Sequence, residues 1–547
     1  MKFDLEHDWQ GNMSTPRKKL GEKTKFYLFF VLSIIFLFTG LIGHEPWRPL
    51  ESTSISIILD ILQNNLIILP MAASENTITN PPLYSYVAAA FGKIFSPILS
   101  LHDAARLSNI FWVSLVLISL GLMTRELWGQ GFGRQAGLIF IGSVGLILNI
   151  HSLMPEVAML LGYTMSLYAF SLYFRRPFRA SMVLGFGSGI AFLSGGIIPL
   201  VVIYLSSLFL LFFNNWRNKR YFIFIIISII ITILVIGPWL YSFNYLEPQL
   251  FLLWINKTQL LPKFLFTYHL QGILWFTWPA LPLAIWLILK NYDQILNQRK
   301  LQIPIVFIIV LFIIVSITGE PNQKNLIPFT IPLSIIAVGA IDKLNRGTAS
   351  ALNWFGILIF GFIGFLIWLG WFAMIYEMPQ IIYDRMFYSS ANYIAKFKLF
   401  SFIFALGITL LWLTSIIKFK ITNRSAITNW ALGITMVWVT LISLWGPFID
   451  NRKEYKIIFT DVKQQLIKSS TCVYSSNLSE SQVNLLHYYS GVKVTFSKFN
   501  KDCRLAIVSL NDEKEIPAEY KLWSKIWTGR RLIDKNYFVL LAKEVNS

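Results

Sequence analysis

The chain has 547 residues, 55% of them hydrophobic, a mean hydropathy of +0.58 and only 14% charged residues. A soluble protein carries about 25% charged residues, so this composition excludes an ordinary soluble fold and indicates a polytopic helical membrane protein. The formal net charge of +19 does not indicate nucleic acid. Its Lys and Arg residues are scattered in short clusters between apolar runs, where they set membrane topology.

The first 25 residues are polar and include Arg17, Lys18, Lys19, Lys23 and Lys25. Basic flanks face the cytoplasm, and no small-residue cleavage site follows the first apolar run. Phe26–Gly43 is therefore expected to be a retained span that starts inside the cell. Residues 44–103 then form an outside loop. Within it Ile55, Ile58, Leu59 and Leu62 share one helical face, with Ser52, Ser56, Asp60 and Gln63 elsewhere. That pattern predicts a helix lying in the membrane interface over about 51–66, and about 82–95 predicts a second helix too short to span.

Alternation of apolar runs and basic loops gives the rest. Spans are expected at about 104–123 and 135–150, then a fourth ending at Arg175 and Arg176. A fifth and a sixth are split by Gly195-Gly196 and end at Arg217–Arg220. Later spans end inside at Lys290 and Arg299-Lys300, at Lys343 and Arg346, and at Lys418 and Arg424. Every expected inside loop carries Lys or Arg. The count is thirteen spans over residues 26–447, with residues 448–547 outside.

The last hundred residues change character. Cys472–Tyr474, Val492–Phe496, Arg504–Ser509 and Tyr537–Leu541 alternate like strands, and Thr460–Lys468 and Ser479–Tyr489 have helical patterns. They predict a small α/β domain. It holds the only two cysteines, Cys472 and Cys503, each beside an expected strand. An oxidising compartment would permit a disulfide between them, and two buried thiols are the alternative.

Acidic, aromatic and basic residues crowd the outside ends of the early spans. The segments are Pro49-Leu50-Glu51, Asn80-Pro81-Pro82-Leu83-Tyr84, Ala105-Arg106-Leu107, Pro155-Glu156 and Lys324-Asn325-Leu326-Ile327-Pro328. Their order resembles that of the polytopic glycosyltransferases of the GT-C fold, in particular the bacterial relatives of lipid A aminoarabinose transferase and protein O-mannosyltransferase. The resemblance covers essentially the whole chain. It implies transfer of a sugar from a polyprenyl-phosphate donor to an envelope acceptor (lipid A, glycan or protein) on the periplasmic face of a bacterial inner membrane. The partners implied are the lipid-linked donor, the acceptor and membrane lipids, with no nucleic acid.

Such a reaction needs a carboxylate to deprotonate or orient the acceptor and cations beside the departing phosphate. The resemblance puts Glu51 and Glu156 in the first role, with Glu45 nearby. Arg106 and Lys324 are the phosphate candidates, and Arg48, His151, Asn80 and Tyr84 are further polar groups on the same face. No cofactor is required by these motifs, and two cysteines with scattered histidines provide no metal cluster. A divalent metal is left open. Three residues depart from the pattern: Leu50 replaces an acidic residue, Asn80 replaces a Lys, and Thr53 stands where many relatives have an Arg. Either Glu51 or Glu45 takes over, or the substrate differs, or this copy is degenerate. The alternatives are thus a non-catalytic relative that binds lipid-linked glycan, and a lipid or glycan transporter.

Overall fold

The computed structural model describes residues 21–64, 68–74, 80–257, 264–318, 320–387, 393–418, 422–469, 473–475, 477–492, 494–495, 503–511, 516–517, 520, 523–531, 534 and 536–543. Apolar runs in lipid satisfy their backbone only as helices, and helices dominate. In the first half these are α1 (Glu22–Phe38), α2 (Ser52–Asn64), α3 (Leu83–Phe95), α4 (Leu101–Trp128), α5 (Phe132–Ile141) and α6 (Leu146–Asn149). They continue as α7 (Glu156–Leu172), α8 (Pro177–Gly195), α9 (Ile197–Leu210) and α10 (Lys219–Leu246). Next come α11 (Pro248–Lys257), α12 (Phe266–Phe276), α13 (Ala280–Lys290), α14 (Arg299–Thr318) and a 3-10 segment, Gln323–Phe329. The membrane part closes with α15 (Thr330–Ile341), α16 (Arg346–Tyr376), α17 (Gln380–Phe387), α18 (Leu399–Lys418) and α19 (Asn423–Lys453).

Among the described residues, eight helices are long and apolar enough to cross a membrane, or nine if α12 and α13, bent by 103° at their junction, form one span. The expected thirteen spans are not matched by thirteen helices of that length. α1, α7 and α9 have 17, 17 and 14 residues. The third expected span is broken into α5 and α6 between Gly142 and Gly145. A Cβ at those two positions would lie 2.8 Å from Trp430 and 2.2 Å from Phe276, so the break admits two large rings to the backbone. The division at Gly195-Gly196 falls where expected. Gly196 has φ +75, a left-handed conformation that glycine adopts without a Cβ clash.

Small residues bring the inner helices together, as membrane packing favours. α7 meets α8 at Gly162 and Gly187, where a Cβ on Gly162 would lie 2.6 Å from the Ala191 backbone nitrogen. α4 lies against α7 and α3, and α19 against α16, α18 and α1.

The helix expected in the interface forms as α2, with Ile55 and Ile58 fully buried. Much of its polar face is buried too, Gln63 being exposed. Ser56 and Asp60 accept hydrogen bonds from the backbone N–H groups of Ala73 and Met71, and Asn484 of the outer domain donates to Thr53. α2 is therefore roofed by loop and domain instead of resting with its polar side in water.

The outer domain comprises α20 (Lys456–Ser469), β1 (Val473–Tyr474), α21 (Glu480–Ser490), β2 (Val494–Thr495), β3 (Leu505–Leu510), β4 (Trp523–Arg530) and β5 (Tyr537–Lys543). Its sheet has the order β2-β1-β3-β5-β4. β1 pairs in parallel with β2 and β3, Val473 standing opposite Val494 and Leu505. β5 runs antiparallel to β3 and β4. β4 is an addition to the strands expected. α19 runs through residue 448 to Lys453, so its last turn reaches beyond the expected end of the membrane part at residue 447. Cys503 is buried just before β3; Cys472 lies outside the described residues, and the Cys472–Cys503 disulfide stays an expectation.

Candidate active site

Asp103 and Arg106 lie three residues apart at the start of α4 and so share a helix face. The Arg106 guanidinium is 0% exposed and faces Glu51, 1% exposed, in the turn before α2. Arg106 Nε and Nη2 donate to the two Glu51 carboxylate oxygens at 2.7 Å each. Nη1 donates to the His44 carbonyl at 2.7 Å and to Asp103 at 2.9 Å, and Nη2 also to the Glu45 carbonyl at 3.2 Å. All five N–H donors of the guanidinium are thereby satisfied within the protein. Arg106, a phosphate candidate by motif order, fastens the loop 41–51 to α4 through these bonds. Asp103 completes the fastening by accepting from Gly43 N–H at 3.1 Å, at a glycine with φ +90.

Glu51 is equally saturated. Besides Arg106 it accepts from Trp47 N–H and Leu153 N–H, both at 3.0 Å. Burial alone would raise its pKa, but the Arg106 guanidinium first, and then His44 and the Trp47 N–H, hold it down to about 2. A carboxylate so acidic and so fully bonded is a poor proton acceptor and a rigid anchor. Its bond to Leu153 reaches the loop 150–155, which leads into α7. Tyr84 supports the same loop from below, its hydroxyl donating to Asn109 at 2.8 Å and accepting from Met154 N–H at 3.1 Å. Asn109 in turn donates to the carbonyls of Ile150 and Ser152. Tyr84→Phe is expected to destabilise the protein by about 1–3 kcal/mol, the cost of a buried N–H left unpaired. Thermal unfolding of the purified variant checks this.

Glu156 opens α7 immediately after that loop, at a helix N-terminus that favours a carboxylate. Lys324, from the 3-10 segment 168 residues later in the chain, brings its ammonium to 3.4 Å from Glu156. The two side chains are 12% and 36% exposed, in contrast with the sealed Glu51–Arg106 pair. Asn80 is half-buried at the entry to α3. Next to it, Pro81 approaches Gly196, and Gly195 touches Met159, one turn along α7 from Glu156. Leu50 is partly buried against the core, where it offers no acceptor.

Glu45 belongs to a third group, against the C-terminal domain. It accepts from Lys456 at 2.7 Å and from the Tyr489 hydroxyl at 3.0 Å, with His102 at 3.7 Å. Burial pushes its pKa up, and the bonds from Lys456 and Tyr489 with the His102 and Lys456 charges bring it below its ordinary value. Asp450, in the last turn of α19, accepts from Glu45 N–H at 2.9 Å and Trp47 Nε1 at 3.0 Å. Arg48 donates to the Tyr455 hydroxyl and to Ser479. Glu45 and Arg48 thus bind the outer domain to the first loop. His151 lies in the bundle core between the rings of Phe36 and Trp438, its Nε2 2.7 Å from the Phe36 carbonyl.

Sequence inspection missed Asp103, Asn109, Asp450, Lys456 and Tyr489. Only Asp103 carried a signal, three residues before Arg106 at a span end. Among the described residues no three His, Cys, Asp or Glu side chains converge on a metal-sized site, and no metal step is derived.

The membrane bundle, with a charged first loop locked to α4, an acidic residue opening α7 and a small C-terminal α/β domain, has the GT-C fold of the solved structures it resembles. No known family description and no curated protein matches the sequence. Among solved structures it resembles ArnT from Cupriavidus metallidurans bound to undecaprenyl phosphate, with a TM-score of 0.69 at 13% identity over 96% of this chain and 99% of that one. The apo state of that protein gives 0.67 at 14% identity, over 94% and 97%. The archaeal oligosaccharyltransferase AglB from Archaeoglobus fulgidus, with an inhibitory peptide and a dolichol-phosphate, gives 0.50 at 12% identity over 89% and 69%.

Proposed function

We propose that the chain is a glycosyltransferase that moves a sugar from a polyprenyl-phosphate donor to a cell-envelope acceptor on the outer face of a bacterial inner membrane. The observation that carries the proposal is the Glu156–Lys324 pair. It is a carboxylate and an ammonium, 3.4 Å apart and partly open, beside a charge cluster whose every donor is already engaged. A fold shared with a protein bound to undecaprenyl phosphate supports the lipid donor.

In this reading an acceptor hydroxyl enters beside Glu156 and attacks the anomeric carbon. Its proton passes to the carboxylate, the bond from that carbon to the phosphate oxygen breaks, and polyprenyl phosphate leaves with the bonding electrons. Lys324 stands beside the departing phosphate and offsets its charge. Glu51 acts through the loop: its bond to Leu153 N–H fixes the segment that presents Glu156. Glu51 is thus a positioning residue and Glu156 the catalytic one.

The test is mass spectrometry of lipid-linked sugars, lipid A and surface glycans in a deletion strain, complemented either by wild type or by Glu156→Gln with Lys324→Gln. Accumulation of a lipid-linked sugar with loss of the matching mass from one envelope glycan, rescued by wild type alone, is the expected result. Rescue by the double variant removes both residues from the chemistry and favours a glycan-binding relative.

A further inference from the structure

At the far end of α4 from Asp103 and Arg106 lies a cavity of about 810 Å³. Residues 103 and 125 are 22 positions apart on one helix, which puts the two sites about 33 Å from each other, on opposite faces of the membrane. Three separate stretches of chain converge on the cavity. α4 brings Arg125 and Glu126, the turn after α7 brings Phe174 and Arg175, and the start of α14 brings Arg299 and Lys300.

Four cations therefore face one carboxylate. Glu126 is already paired with Arg175 at 3.1 Å. Arg299 lies over the Phe174 ring, 3.7 Å from its centroid, and Lys300 over Trp128 at 4.6 Å. Rings under two cations hold them as a rigid rim, and α14 begins here, with the Leu301 and Gln302 N–H groups closed onto the Gln298 carbonyl and the N–H groups of Arg299 and Lys300 ahead of them at the positive end of the helix. Charges that only set topology need sit in a loop; nothing requires those of three separate stretches to meet around one open hollow.

We propose that this cavity is a phosphate-anion site on the cytoplasmic face, and that it holds the headgroup of an anionic phospholipid from that leaflet. The site is separate from the transfer chemistry proposed above and does not depend on it. A lipid phosphodiester and a free phosphate share the chemistry that these cations recognise, and the experiment distinguishes them.

The full chain, purified in detergent, is titrated with short-chain phosphatidylglycerol, with phosphatidylcholine of the same chain length, and with inorganic phosphate. Binding is read by native mass spectrometry and calorimetry. Phosphatidylglycerol is expected to bind one molecule per chain more tightly than phosphatidylcholine. Each cation removed should weaken it about fivefold, so Arg125→Gln, Arg299→Gln and Lys300→Gln together should weaken it about a hundredfold. The charge-conserving pair Arg299→Lys with Lys300→Arg should keep most of the affinity. Inorganic phosphate that binds as tightly as the lipid, and is lost in the triple variant, would keep the anion site and make its ligand soluble. Equal affinity of wild type and triple variant for phosphatidylglycerol overturns the proposal. So does equal affinity for the two lipids without phosphate binding. If the triple variant does not purify, Arg299→Gln alone should show the fivefold loss, and its absence overturns the proposal equally.

Discussion

Arg106→Met is expected to cost about 3–5 kcal/mol of stability and to release the first outer loop. The guanidinium is the one group that touches Glu51, Asp103 and the carbonyls of His44 and Glu45 at once. Without it, two carboxylates and two carbonyls remain buried and short of donors, and burying an uncompensated charge is the larger part of the cost. Thermal unfolding in detergent measures the loss, and chymotrypsin cleavage after Trp47, a ring buried in the folded protein, reports the loop. Adding Glu51→Leu to Arg106→Met removes one stranded charge, so the double variant should be more stable than Arg106→Met alone. If the two losses simply add, the residues are uncoupled and Arg106 is not the fastening described.

Much of this architecture was legible in the sequence because lipid imposes simple rules. Apolar runs marked the helices, Gly195-Gly196 marked a break that the backbone adopts, and four of the outer strands stood where alternation put them. The break between α5 and α6 was not legible, since it depends on Trp430 and Phe276, rings from distant helices that press on Gly142 and Gly145. β4 was missed for a different reason. It is an edge strand with a register shift between Lys525 and Trp527, and one half-exposed face leaves little alternation to see.

The candidate site divides in the same way. Which residues gather at the outer face was readable from motif order, and Glu51 with Arg106, and Glu156 with Lys324, do meet. Their roles were not readable. Arg106 is saturated by backbone carbonyls of residues 44 and 45, and Glu51 by the N–H groups of Trp47 and Leu153, partners that no side-chain motif encodes. Glu45 and Arg48 are held by Lys456, Tyr489, Tyr455 and Ser479, more than 400 residues away in the chain. An acidic residue at a span end therefore reads alike whether it anchors a loop or faces substrate, until its hydrogen-bond partners are counted.

Glu156→Gln separates those two roles. Loss of a general base lowers turnover by about 10²–10⁴, whereas the ion pair it breaks is partly exposed and contributes about 0–1 kcal/mol to stability. The variant should therefore fold as wild type, accumulate in the membrane and fail to transfer. Glu51→Gln should do the reverse in kind. In either orientation an amide there turns its N–H₂ toward one Arg106 N–H and one backbone N–H, that of Leu153 or that of Trp47, so donors face donors in a sealed site. Its melting temperature should fall, and activity should fall in proportion to the folded fraction and to the looseness of the loop that carries Glu156. The ratio of transferred to lipid-linked sugar, divided by the amount of folded protein, reads the difference. Lys324→Ala belongs with Glu156→Gln, and the two together should cost less than the product of their separate losses if both act on one transition state. A Glu51→Gln chain that folds fully but is inactive, beside an active Glu156→Gln chain, would exchange the roles and return the proton transfer to Glu51.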